Sequence, residues 1–324
     1  MLNRRILRIK AFKILYSSML SGNVSLEEAE SRLDQSCEAT RDLYVFMMGV
    51  ISPLTAVARE RIEAAKKKFN PTEQEKNPNM KFADNALAKL LESDPDFCKA
   101  LEKRKFSWDQ YDLILKKLYN TVSGREYFRK YMESETSSIA EDCRLFTKIF
   151  EKEFVDDEEL ALILEDMSLY WNDDLAYALT YCCKSLEAIA KGERWTMPPL
   201  YLSDIKKASL AGNPARQMAV ESDKAFVHKL LQNAFAGYGR YVGMISECLA
   251  NWEKDRIVGT DMSLIVCGIA EAEKFPSIPV KVTINEYVEI SKFYGTPKSR
   301  IFVNGVLDRV IMRLVNEGKI DKTV

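Results

Sequence analysis

The segment over 299–317 carries its apolar residues at Val303, Val306, Leu307, Val310, Ile311 and Leu314. Steps of three and four place all of them on one stripe of a helix with 3.6 residues per turn. No segment shows the sustained two-residue alternation that a half-buried strand requires. Turn-forming residues are also scarce, with 13 glycines and 10 prolines in 324 residues, about 7% against roughly 12% in average usage. Sandwiches, barrels and glycine-rich α/β folds need more turns than that. The expected fold is all-α, with long helices joined by few loops.

A first helix is expected over 4–20, ending near Gly22 and Asn23. Ser25 and Glu28 then match a capping box that opens a second helix to about Cys37. A long helical stretch follows over 42–69, with a kink expected at Pro53. Two stretches read as linkers: 70–81, with Pro71 and Pro78, and 191–214, with Pro198, Pro199, Gly212, Asn213 and Pro214. Helices are expected between them, and again over 223–254 and 261–273. At the carboxy-terminal end, a helix over 281–294 is stopped by Gly295 with Pro297 beyond, and Ser299 caps the final helix. Leu145, Lys148, Phe154, Trp171 and Asp174 share their spacing with Phe226, Lys229, Phe235, Trp252 and Asp255. That echo fits a duplicated helix pair, and fits equally a coincidence between two helical hairpins.

Counting removes several functional classes. His228 is the single histidine, so a multi-histidine metal site cannot be built. The seven cysteines (Cys37, Cys98, Cys143, Cys182, Cys183, Cys248 and Cys267) make an odd number without a C-x-x-C pair. Free buried thiols in a reducing cytoplasm explain them better than disulfides or zinc. No run of 18 apolar residues occurs, so no membrane partner is expected. Arg4, Arg5, Arg8, Lys10 and Lys13 break up any secretory core in the first 20 residues. An acid-free, arginine-bearing start also fits the composition of an organelle transit peptide, the less favoured reading. Phosphate-loop, dinucleotide-loop and metalloprotease motifs are all missing. Neither an enzyme nor a cofactor is expected.

Charge is balanced overall, at a formal −1, but uneven along the chain. The first 26 residues hold five bases and no acid, whereas 151–174 holds ten acids and one base, Lys152. A basic end and an acidic middle point to a local anion site rather than to general affinity for nucleic acid. The acidic run also suits the start of a solvated helix.

Two groups of residues suit RNA. Arg4, Arg5 and Arg8 project within a wedge of roughly 100° on the first helix, with Tyr16 at its edge. Arginine forks match phosphate oxygens, and a tyrosine ring stacks on an unpaired base. The same four residues would also make an ordinary solvated basic face. At the other end, Phe302 points about 110° away from the apolar stripe of the final helix. Lys298 and Arg300 flank it, and Tyr294 closes the preceding helix. Cations, rings and a helix N-terminus together form a single-strand platform. The alternative is that Phe302 packs on a neighbouring helix while Lys298 and Arg300 face water.

The stretches VTINEYVEISK at 282–292 and FVNGVLD at 302–308 resemble the carboxy-terminal signature of the NusB antitermination family. Arg4, Arg5, Ile6, Leu7 and Arg8, continuing through Ala11 to Leu15 and Tyr16, resemble that family's first helix, and 226–269 resembles its connecting helices. The resemblance covers about 1–40 and 222–318. It implies small helical bundles that bind boxA-type single-stranded RNA together with the ribosomal protein NusE, as part of a transcription elongation complex. Carried over by position, Arg4, Arg5, Arg8 and Tyr16 match the first-helix RNA contacts. Tyr294, Lys298, Arg300 and Phe302 match the loop and helix start that touch RNA. Residues 1–40 with 222–324 would then form the RNA-binding domain, and 41–221 a central helical insertion. The chain departs from the family in its length and in the base at 298, where some members carry an acid. The same module precedes ribosomal RNA cytosine methyltransferases, but their Pro-Cys catalytic dipeptide is missing here. The remaining alternative is a helical interaction scaffold in ribosome assembly that does not bind RNA.

Overall fold

A computed structural model describes residues 1–249 and 258–322. The chain is all-α. Its helices are α1 (Arg4–Ser21), α2 (Leu26–Met48), α3 (Ile51–Lys66), α4 (Glu73–Lys76), α5 (Ala86–Ser93) and α6 (Pro95–Arg104). There follow α7 (Asp112–Ser123), α8 (Glu126–Glu133), α9 (Ile139–Lys152), α10 (Glu158–Met167), α11 (Leu175–Ala190) and α12 (Leu202–Ser209). The last are α13 (Pro214–Met218), α14 (Asp223–Ala236), α15 (Tyr238–Cys248), α16 (Gly259–Lys274), α17 (Val280–Tyr294) and α18 (Ser299–Asn316). Leu2 and Tyr201 form an isolated parallel bridge, and the described residues contain no strand.

The chain divides into two compact units. A central unit comprises Met1 and Glu38–Pro199, and a terminal unit comprises Leu2–Cys37 and Leu200–Val324. Residues 200–221, grouped by sequence with the central region, fall in the terminal unit. Of the spacing echo, Trp252 and Asp255 lie outside the described residues.

Local chemistry explains most helix ends. Gly22 takes a left-handed φ of 73° after α1, and its N–H donates to the Ser18 carbonyl, as a C-terminal cap requires. The Ser25 hydroxyl accepts from the Glu28 amide at 3.1 Å. From there α2 runs past the expected end near Cys37 to Met48. The chain breaks at Gly49 and Val50 and not at Pro53, which sits in the first turn of α3. A proline there removes no intrahelical bond. Ser299 is the first residue of α18 and not its cap; Lys298 holds the cap position without a side-chain bond. The 70–81 stretch contains α4, and 191–214 contains α12.

The core of the central unit is aromatic. Phe46 stacks on Trp108 (centroids 4.4 Å apart) and on Trp171 (5.7 Å), with Phe106 edge-on at 5.8 Å. Both indoles are satisfied by α2 carbonyls: Trp108 Nε1 donates to Phe46 at 2.8 Å and Trp171 Nε1 to Ala39 at 2.9 Å. Around this cluster, α9 packs along α11, and α3 packs on α5 and α7.

In the terminal unit α16 is the hub. Every residue from Ser263 to Ala272 is buried, as in a helix enclosed on all sides. Helices α1, α14, α17 and α18 pack against it. Gly268 lets α18 come close, because a Cβ there would stand 2.7 Å from Leu307. The stretch Leu26–Lys66 has the length and composition of a membrane span, although it contains no run of 18 purely apolar residues. Its most apolar 18 residues are 67% buried within the protein, as for a core helix. All seven cysteines are free, and Cys37, Cys143, Cys182 and Cys267 are buried.

Candidate nucleic-acid interface

The three amino-terminal arginines reach different depths. Arg5 lies outermost, and its Nε and Nη2 donate to both oxygens of Glu286 at 2.9 and 2.6 Å. That bond holds the Glu286 carboxyl below the usual range, against the opposing effect of its partial burial. Arg4 is half-buried, pairs with Glu221 at 2.6 Å and Asp223 at 3.3 Å, and lies over the Phe226 ring. Arg8 is inside, at 4% exposure, with Nε and Nη2 donating to Glu271 at 2.7 and 2.9 Å. Glu271 also accepts from the Thr283 hydroxyl at 2.8 Å. Burial alone would lower the affinity of Arg8 for its proton, but its bond to Glu271 outweighs this and the net shift is upward. The expected surface wedge is therefore incomplete: Arg8 is committed to an internal ion pair and does not reach solvent.

Farther along α1 the two ends of the chain meet. Phe12 is buried, and its ring touches Tyr16 (centroids 6.4 Å apart) and Tyr294 of α17 (5.5 Å). The Lys13 ammonium lies 5.9 Å from the centre of the Tyr294 ring. Tyr16 leans on the first turn of α16, so a Cβ at Gly259 would stand 3.1 Å from its ring. Both tyrosines remain half-exposed.

The loop after Tyr294 is held from inside. Ser299 is buried, donates to Asp261 at 2.7 Å, and accepts from the Thr296 amide at 2.8 Å. Burial raises the Asp261 carboxyl, against the Ser299 bond that lowers it. Lys298 and Arg300 are exposed on either side of this anchor, with Phe302 half-buried one turn on. Glu289 is held below the usual range first by its bond to Lys292, with the charges of Arg300 and Arg5 adding to it. The structure brings Tyr16 and Tyr294 to one buried ring, Phe12. Arg4 instead lies with α14, over Phe226.

Chemically, this face offers two ring edges, exposed cations and the first turn of α18. That set suits a strand with spaced phosphates and unpaired bases. No cluster of potential metal ligands occurs among the described residues.

Residues 200–312 match the model of the NusB family. The Transcription antitermination protein NusB of Myxococcus xanthus is 33% identical over 131 residues, which cover 38% of this chain and 94% of that protein. The chain belongs to the NusB family. The Bacillus subtilis member is 32% identical over 111 residues, covering 34% of this chain and 85% of its own. The Salinibacter ruber member is 44% identical over 73 residues, 22% of this chain, and the match spans about half (46%) of that relative. A long form with added central sequence accounts for these proportions. No solved structure matches the chain.

Several residues of this face escaped the sequence reading. Phe12 joins the two tyrosines, and Asp261 with Ser299 anchors the loop. Phe293 and Ile301, at 81% and 77% exposure, flank the loop as bare apolar side chains. Ile301 does carry a sequence signal, because it falls outside the apolar stripe of α18. Asp261 carries none, since an acid in the first turn of a helix is ordinarily solvated.

Proposed function

We propose that the protein is a transcription antitermination factor that binds boxA-type single-stranded RNA of ribosomal RNA operons together with NusE. Arg5, Tyr16, Tyr294, Lys298, Arg300 and Phe302 form the RNA surface. Arg4 acts at its edge, and Arg8 fixes α1 beneath it. The observation that carries this reading is the meeting of α1 with the α17–α18 loop through Phe12, in a chain of the NusB family. Guanidinium and ammonium groups neutralise phosphates, and half-exposed rings stack on bases. Exposed Phe293 and Ile301 beside the loop suit a protein partner next to the RNA, the place assigned here to NusE.

The test is a titration of labelled boxA-like RNA at several salt concentrations, with a scrambled RNA alongside. Phe302→Ala weakens binding by about 1–3 kcal/mol if a base stacks there. Lys298→Ala with Arg300→Ala flattens the plot of log K against log[salt] by roughly 1.4, at ~0.7 per phosphate contact on a single strand. Equal affinity for both RNAs, or a folded Phe302→Ala protein with unchanged affinity, would transfer the assignment to a scaffold in ribosome assembly that does not bind RNA.

A further inference from the structure

The central unit holds a groove that the RNA reading does not use. It runs between α9 and α11, beside α8, with a volume of about 920 Å³. Its lining is apolar: Leu145, Phe150, Leu179 and Leu186 lie buried beneath it, and Val155, Ala176 and Cys183 are open to it. Its rim is basic. Arg144, Lys148 and Lys184 are exposed there and have no carboxylate partner among the described residues. Of the three acids on the same rim, Glu141 pairs with Lys81 at 3.2 Å and Glu187 with Lys191 at 2.7 Å, which leaves Glu151 against the three bases. The groove therefore presents apolar surface inside a ring of excess positive charge.

Helix α10 of the same unit has the complementary character. Leu160 and Leu164 face inward and are buried, whereas Leu162 and, just past the helix, Leu169 are 68% and 73% exposed. Glu158, Glu165 and Asp166 lie on the exposed side with Leu162, and none has a basic partner among the described residues. At i−4, i+3 and i+4 from Leu162 they share its face. A solvated helix start explains the acids, but leaves the bare leucines without a role.

We propose that the α9–α11 groove is a self-association surface that takes the acidic, leucine-bearing face of α10 from a second copy of this chain. Charge complementarity commits it to that occupant, because basic rim and acidic helix occur on one molecule. The two features are also neighbours: Val155 lines the groove and α10 begins three residues later, at Glu158. A two-fold axis near that corner seats each α10 in the other copy's groove and closes the assembly as a dimer. The proposal is independent of RNA binding.

The test is sedimentation velocity on the full chain over a concentration series, at low and high salt. A reversible dimer that weakens with salt is expected, because its ion pairs are rim-exposed. Lys148→Glu with Lys184→Glu makes the protein monomeric, and so does Glu165→Lys with Asp166→Lys. Mixing the two variants restores a dimer, since each groove then meets a helix of opposite charge. Circular dichroism confirms that both variants are folded. A monomer at every concentration, a dimer that neither variant weakens, or a mixture that stays monomeric overturns the proposal. So does a monomeric chain whose groove takes RNA or an acidic helix from another protein.

Discussion

The two units solve the problem of a core in different ways. The central unit stacks Phe46 between two tryptophans and gives each indole N–H to an α2 carbonyl. The terminal unit places an ion pair, Arg8 with Glu271, against its hub helix. An aromatic core gains stability from each ring it buries and loses it in proportion when one is cut away. A buried ion pair contributes little net stability, because desolvation offsets attraction, yet removing one partner leaves a bare charge inside. The expected difference is one of failure mode. The central unit weakens by cavity, whereas the terminal unit fails by orphaned charge and can be relieved of it.

Glu271→Ala tests that contrast with the largest effect. It removes the acceptor of Thr283 and the nearer partner of Arg8, which keeps only Glu286 at 3.6 Å, and breaking a buried ion pair costs about 3–5 kcal/mol. Amide exchange followed by mass spectrometry should show protection lost in α1, α16 and α17 while α9 and α11 keep theirs. Phe46→Ala should cost a similar ~3–5 kcal/mol by cavity formation, with the loss confined to the central unit. The two then separate in how they can be rescued. Arg8→Met with Glu271→Leu should recover most of that loss, because the charge goes with its partner while the buried Thr283 hydroxyl still lacks its acceptor. No single partner change restores the ring lost at position 46. A double variant as unstable as Glu271→Ala alone would show that the pair supplies stability directly, and the contrast between the units would fail. The RNA predictions rank next: Phe302→Ala acts on binding by about 1–3 kcal/mol and leaves both cores untouched.

The all-helical fold was legible because periodicity and turn scarcity act locally. The apolar stripe of α18, the stop at Gly295 and the Ser25 cap all follow from neighbours within one or two turns. The arrangement of the candidate site was legible only in part. Tyr16 and Phe302 read as candidate recognition residues by type and by angle on their own helices, and Tyr294, Lys298 and Arg300 by their place beside Phe302. Arg8 read as a surface base, because nothing within four residues of it reveals Glu271 across 263 positions of sequence. The same holds for Asp261, whose burial depends on Ser299. Such pairs are made by tertiary packing, which no window of one helix contains. The aromatic core of the central unit was hidden for the same reason, since Phe46, Trp108 and Trp171 come together only when three separate segments pack.

A pH series on Asp261 carries the comparison inside the terminal unit, with the smallest expected effect. Glu286 and Asp261 are both acids near α1 and the loop, but their shifts have opposite signs. The bond from Arg5 lowers Glu286, against its burial, so its stabilisation is present above the unfolded carboxylate range and lost as pH falls through its lowered value. Burial raises Asp261, against the bond from Ser299. Its contribution is present below the unfolded carboxylate range and lost as pH rises through its raised value. Asp261→Asn keeps an oxygen for Ser299 and removes the titration. The stability of wild type relative to this variant, measured by urea unfolding, should therefore fall as pH rises from the acid side of the carboxylate range towards neutrality. Arg5→Ala should do the reverse: wild type should gain on that variant over the same interval. A wild-type advantage over Asp261→Asn that is flat with pH would mean that the carboxyl ionises in the fold as it does in the open chain, and that the Ser299 anchor works by geometry alone.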